Sequence, residues 1–268
     1  MSAASASAVR LALVTGASSG LGVEFARLLA ADRHDLILIA RSGDKLEALG
    51  RELEKQHGIK VHAIPVDLAV PHAPESLTRL LRERKLSPDI LINNAGFGLY
   101  GPFVELDLTE QLRMIQLNVT SLTHLTYLLL PEMMQRRWGR ILNVASTAAF
   151  QPGPLMAVYY ATKAYVLSFS EALANEVNGS GVTVTCLCPG PTQTGFQARA
   201  AMGESKLVAG KKMMDAATAA RAGYRALCKG KTLTIPGVKN NLLAFSVRLA
   251  PRQMITKVVR NMQERRGH

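Results

Sequence analysis

In the stretch AVYYATKAYV, residues 157–166, two tyrosines stand four and three residues before Lys163. On a helix those separations put Tyr159, Tyr160 and Lys163 on one face, whereas Tyr165, two residues after the lysine, points elsewhere. A phenol beside an ammonium can do acid–base chemistry near neutrality, because the cation favours the phenolate. Spacing alone leaves both Tyr159 and Tyr160 eligible. The plain alternative is an amphipathic surface helix, so other residues have to decide.

The elements that must position such a pair alternate along the chain. Apolar runs at 11–16, 36–40, 60–67, 89–96, 139–146, 182–190 and 231–237 read as strands. Between them, helical patterns fall at about 17–31, 43–57, 73–84, Thr109 to Arg136 and 157–177. Continuous apolar strands mean a sheet covered on both faces, and the βαβα alternation means a parallel, doubly wound one. Right-handed crossovers then give a seven-stranded Rossmann-type α/β/α sandwich. No repeat, linker or low-complexity segment divides the 268 residues. They read as a single domain, with a polar lead-in at 1–8 and, over 195–268, a Met-rich stretch followed by basic helices.

The run VTGASSGLG, 14–22, follows the first strand and opens the first helix. Gly16, Gly20 and Gly22 permit tight turning, and the helix start offers free N–H groups and a positive dipole end to a pyrophosphate. The spacing is G-x-x-x-G-x-G, so the signal lies in its placement between strand and helix.

Taken together, TGASSGLG at 15–22, NNAG at 93–96, Asn118 in LNVTS, NVAS at 143–146, Tyr159 with Lys163 and PGPTQT at 189–194 resemble the short-chain dehydrogenases/reductases in order and spacing. The resemblance covers about residues 9–195. It favours Tyr159 over Tyr160 as the acid–base residue, since the family tyrosine precedes its lysine by four. Tyr160 becomes a packing or substrate-wall residue.

The resemblance implies hydride transfer between a nicotinamide and a carbonyl or alcohol. Tyr159 would exchange the proton, Lys163 would lower its pKa, Ser146 would bind the carbonyl oxygen and Asn118 would hold a water linking Lys163 to solvent. Cofactor contacts would come from Gly16, Ser18, Ser19, Gly20, Leu21, Gly22, Asp67, Leu68, Asn94, Ala95, Gly96, Pro189, Gly190, Thr192 and Thr194, together with Tyr159 and Lys163. Where NAD-preferring relatives end the second strand on an acid, this chain has Ala40 and Arg41. An arginine grips a 2′-phosphate that an acid would repel, so NADP(H) is the expected cofactor.

Composition sets the remaining expectations. No apolar run approaches the ~20 residues of a membrane span, and the N-terminus has no signal-peptide pattern. Cys186, Cys188 and Cys228 match no zinc spacing, and the six histidines are scattered, so no metal is expected. Buried free thiols suit a reducing cytoplasm. Of the 32 Lys and Arg, 14 lie in 201–268, against 3 of the 20 acids. That basic quarter admits a solvated surface, a peripheral membrane contact or an acidic carrier; no motif accompanies it that would read nucleic acid. The Met-rich segment 195–217 suits a lipophilic substrate. Homodimers or homotetramers built on the two long helices are expected, with a catalytically silent NADP(H)-binding regulator or scaffold as the competing function.

Overall fold

Alternation along each strand divides the core between two faces of one sheet. The computed structural model describes residues 9–196, 200, 213–247 and 251–264. Ala12 and Val14 of β1 (Leu11–Thr15), Leu36 and Leu38 of β2 (Asp35–Ala40), and Ile90 and Ile92 of β4 (Ile90–Asn93) share one face. There they bury Phe25 and Leu29 of α1 (Gly20–Ala31) and Leu46 and Leu53 of α2 (Gly43–His57). Leu13, Ile37, Ile39 and Leu91 point the other way, against Leu77 and Leu81 of α3 (Ala73–Glu83) and Leu125, Leu129 and Met133 of α5 (Leu122–Gln135).

With β3 (Val61–Pro65), β5 (Gly139–Val144), β6 (Val182–Leu187) and β9 (Leu233–Thr234), these strands form a parallel seven-stranded sheet in the order β3-β2-β1-β4-β5-β6-β9. The expected three-layer α/β architecture is therefore present. Strand order reverses between β1 and β4, and a ligand crevice belongs at the carboxyl ends beside such a reversal. A separate two-residue pair, β7 (Thr192–Gln193) and β8 (Met214–Asp215), lies beyond β6. The remaining helices are α6 (Ala157–Glu176), α7 (Ala216–Cys228), α8 (Val238–Ser246) and α9 (Arg252–Gln263).

The helix expected from Thr109 to Arg136 is not continuous. It comprises α4 (Leu108–Ile115), a π-helical segment Gln116–Ser121, and α5. The wider turn rotates the following residues relative to an α-helix, and Asn118 sits inside it. The seventh strand is also shorter than its apolar run, because only Leu233 and Thr234 pair with β6. Most of the Met-rich segment lies outside the described residues. Among the described residues no helix is long and apolar enough to cross a membrane.

Candidate active site

Thr15, the last residue of β1, stitches two loops together. Its hydroxyl oxygen accepts from the Asn94 and Ala95 N–H groups at 3.0 and 2.9 Å and donates to the Ile92 carbonyl. Asn94 Nδ2 returns a bond to the Thr15 carbonyl at 2.9 Å. The glycine loop and the NNAG loop thus form one rigid wall. Thr15 was not singled out from the sequence.

Gly16 and Gly20 have φ of 67° and 56°, in the left-handed region that favours glycine. Ser19 caps α1 without a side-chain hydrogen bond, and no acid lies in the helix's first turn. The orphan N–H groups there are left for an anion. Gly22 plays a different part from the one expected. It is not on the cavity wall, and a Cβ there would sit 2.2 Å from the Gly16 carbonyl oxygen. It lets α1 approach the loop. Gly22→Ala is expected to cost about 1–3 kcal/mol of stability by overpacking, read by denaturant unfolding, and to weaken dinucleotide affinity with it.

A cavity of about 560 Å³ runs from this loop into the molecule. Every other expected cofactor residue lines it, from Gly16, Ser18, Ser19, Gly20 and Leu21 through Arg41, Asp67, Leu68, Asn94, Ala95 and Gly96 to Pro189, Gly190, Thr192 and Thr194. Arg41 is exposed at its rim, directly after β2. Asp67 is already engaged: it pairs with Arg113 at 3.0 Å, and Arg113 in turn holds Glu110 at 2.7 Å. These carboxylates, Glu110 first, hold the Arg113 guanidinium above its ordinary pKa. Arg113 also lines the cavity and was missed from the sequence. Asp67 is thereby held away by Arg113, and Arg41 stands at the end of the cavity formed by β2.

At the other end the catalytic candidates meet. Ser146, after β5, caps the short turn Thr147–Phe150 by accepting from the Ala148 N–H at 3.1 Å. Its hydroxyl also shares a hydrogen bond with Tyr159. Capping and site roles therefore coexist in one side chain. Tyr159 packs its ring against Phe196, centroids 5.2 Å apart, and edge-on against Tyr160. Lys163 is buried, with Nζ 2.8 Å from the Val144 carbonyl oxygen and 5.8 Å from the Tyr159 ring centre.

These positions revise the expected electrostatics. Burial pushes the Tyr159 hydroxyl up, only partly offset by its bond to Ser146. Burial also pulls Lys163 down to about 8. The protein alone does not show Lys163 depressing the Tyr159 pKa, because the ammonium is half-discharged near pH 8 and bonded to a backbone carbonyl.

Asn118 is buried behind the wall instead of lining it. Its amide brackets Phe97, accepting from the N–H at 3.2 Å and donating to the carbonyl at 2.9 Å, and donates to Thr162 Oγ1 at 3.1 Å. It positions Gly96 and Phe97 above Lys163. Tyr160 lies on the cavity wall, as the spacing argument allowed. Its hydroxyl accepts from Gln263 Nε2 at 2.7 Å, and the Tyr100 hydroxyl donates to the Gln263 carbonyl. The last turn of α9 is thereby clasped beside Tyr159. Phe97, Met156, Phe196, Val247, Ile255 and Met262 complete this end, which is apolar.

Comparison with known proteins decides the family. The model of the short chain dehydrogenases matches residues 10–205. The chain belongs to the short-chain dehydrogenase/reductase family. Among its family relatives, the ketoacyl reductase HetN of Nostoc sp. is 37% identical over 185 residues, 69% of this chain and 64% of that protein. A very-long-chain 3-oxoacyl-CoA reductase of Pyrenophora tritici-repentis is 36% identical over 180 residues, 66% of this chain and 53% of that protein. The match therefore spans between half and two thirds of the length of these curated relatives. A short-chain dehydrogenase from Sphingobium yanoikuyae, solved in complex with NADPH, superposes with a TM-score of 0.80 at 33% identity, over 90% of this chain and 94% of that one.

Proposed function

We propose that this chain is an NADP(H)-dependent oxidoreductase that interconverts an apolar carbonyl compound and its alcohol. The observation that carries the reading is the meeting of Ser146, Tyr159 and Lys163 at the apolar end of a cavity whose other end is a helix N-terminus with free N–H groups. The relatives named as ketoacyl and 3-oxoacyl-CoA reductases, and the neighbour holding NADPH, support it.

The loop from Gly16 to Gly22 would hold the pyrophosphate, and Arg41 a 2′-phosphate. The nicotinamide, when bound, supplies or takes up the hydride. The chain's own residues do the rest. Ser146 and Tyr159 place a carbonyl oxygen between their hydroxyls and stabilise the charge that develops there. Tyr159, kept protonated by burial, donates its proton to that oxygen during reduction and recovers it during oxidation. Lys163 holds positive charge beneath the site, and the apolar wall excludes water.

The test is consumption of NADPH or NADH across a panel of 3-oxoacyl thioesters, cyclic ketones, steroids and aldehydes. NADPH-selective turnover supports the reading. Tight NADPH binding with no turnover of any carbonyl or alcohol would favour the regulator instead. Arg41→Glu is expected to raise the KM for NADPH roughly 10- to 100-fold, the worth of a charge-assisted bond, and to leave NADH no worse. The same reading takes the chain as one catalytic domain working in the cytoplasm as a homo-oligomer. The exposed Leu112 and Ile115 on α4 and Tyr127 on α5 supply an apolar face for pairing.

A further inference from the structure

Helix α8 turns its apolar side outward. Ala244 is its one buried residue, whereas Val238, Leu242 and Phe245, at i, i+4 and i+7, form an outer stripe that is 77%, 65% and 61% exposed. Helix α9 faces the core with Ile255, Val259 and Gln263 and leaves Met254 and Val258 outside. Leu243, Met254 and Val258 are exposed and also line the cavity, so exposed apolar side chains of both helices border its mouth. Large apolar side chains exposed together on two helices at one cavity mouth mark an interaction surface. Residues 238–263 carry five Lys and Arg and no Asp or Glu. Lys239, Arg252, Lys257 and Arg260 are exposed around the patch, and Arg260 reaches Glu264 at 3.7 Å.

We propose that α8 and α9 dock on an anionic lipid bilayer, with the cavity mouth facing the membrane. Apolar side chains bordered by cations match the two depths of such a surface, acyl boundary and charged headgroups. A second copy of this chain would bring Lys239, Arg252, Lys257 and Arg260 against the same cations of its own. A lipophilic carbonyl compound could then pass from the bilayer to Tyr159 without crossing water; only this last step rests on the catalytic reading.

The experiment is co-sedimentation of the full chain with vesicles of phosphatidylcholine alone and of phosphatidylcholine with about one-third phosphatidylserine. Binding is expected to the anionic vesicles only, and to be lost on raising salt to about 0.5 M. The triple variant Lys239→Ala, Arg252→Ala, Lys257→Ala is expected to weaken partitioning on the order of a hundredfold. Leu242→Asp with Phe245→Asp is expected to abolish it while leaving turnover of a water-soluble carbonyl unchanged. If the second variant is insoluble, the first decides. Absence of binding to anionic vesicles, or equal binding by both variants, overturns the proposal. So does a fall in molar mass of the Leu242→Asp, Phe245→Asp variant by light scattering, which would make the patch an interface between copies. So does loss of an acidic protein partner's binding in the triple variant with vesicle binding intact. Lipid binding is read without catalysis, so its failure and a failure of turnover are distinguishable.

Discussion

Tyr159→Phe is expected to lower kcat/KM for carbonyl reduction by about a thousandfold, within the range that a positioned general acid supplies. The ring contacts with Phe196 and Tyr160 survive the change, so the variant should fold and bind NADPH as the parent does. The decisive readout is therefore a split, with kcat lost and dinucleotide affinity retained. A variant that keeps more than about a tenth of the activity would remove Tyr159 from the chemistry. Tyr160→Phe serves as the control. It loses the Gln263 bond but no reacting group, and its effect should fall on substrate KM.

Lys163→Met is expected to abolish turnover and yet to stabilise the protein. The fall from an ordinary value near 10.5 to about 8 means that the fold disfavours the charged lysine, by about 3 kcal/mol. Leaving the Val144 carbonyl without its donor returns on the order of 1 kcal/mol, so the net gain is about 2 kcal/mol near neutral pH. The sign follows from the direction of the displacement. A lysine lowered in the fold carries its full penalty below about pH 8, and the penalty fades as pH rises toward 10.5. Parent and variant should therefore differ most below pH 8 and converge above it in denaturant titrations. If the variant is less stable at every pH, the buried ammonium is not the cost. Reduction by the parent should decline as pH rises through about 8, where Lys163 discharges.

The parts of this arrangement written into local pattern could be read before any coordinates. Strands β1 to β6 are apolar runs, α2 is bounded by its charge pattern, and the glycines fall where strand one meets helix one. Helical spacing put Tyr159 and Tyr160 on one face with Lys163, and the family resemblance then favoured Tyr159. What escaped depends on contacts between distant segments. Thr15 acts through loops about 80 residues away, Arg113 meets Asp67 across 46, and Gln263 reaches Tyr160 across 103. The π-helical segment escaped for another reason: a single wider turn leaves an apolar pattern that still reads as one helix. Asn118, expected to hold a water linking Lys163 to solvent, lies inside that segment, and its amide brackets Phe97. At Gly22 the sequence could not separate cavity lining from close helix packing, because both make the same demand for glycine.

The clasp at Gln263 also sets an order of assembly. The sheet from β1 to β6, with α7 supplying Ala220, Tyr224 and Leu227 to the core over one of its faces, is built from residues up to about 228, so it can form while the rest of the chain is still being made. The apolar end cannot. Tyr100 and Tyr160 wait for a partner 163 and 103 residues further along, and the wall from α9 closes only when that partner arrives. A polypeptide released from the ribosome before Gln263 should bind the nucleotide and expose an unfinished, sticky compartment.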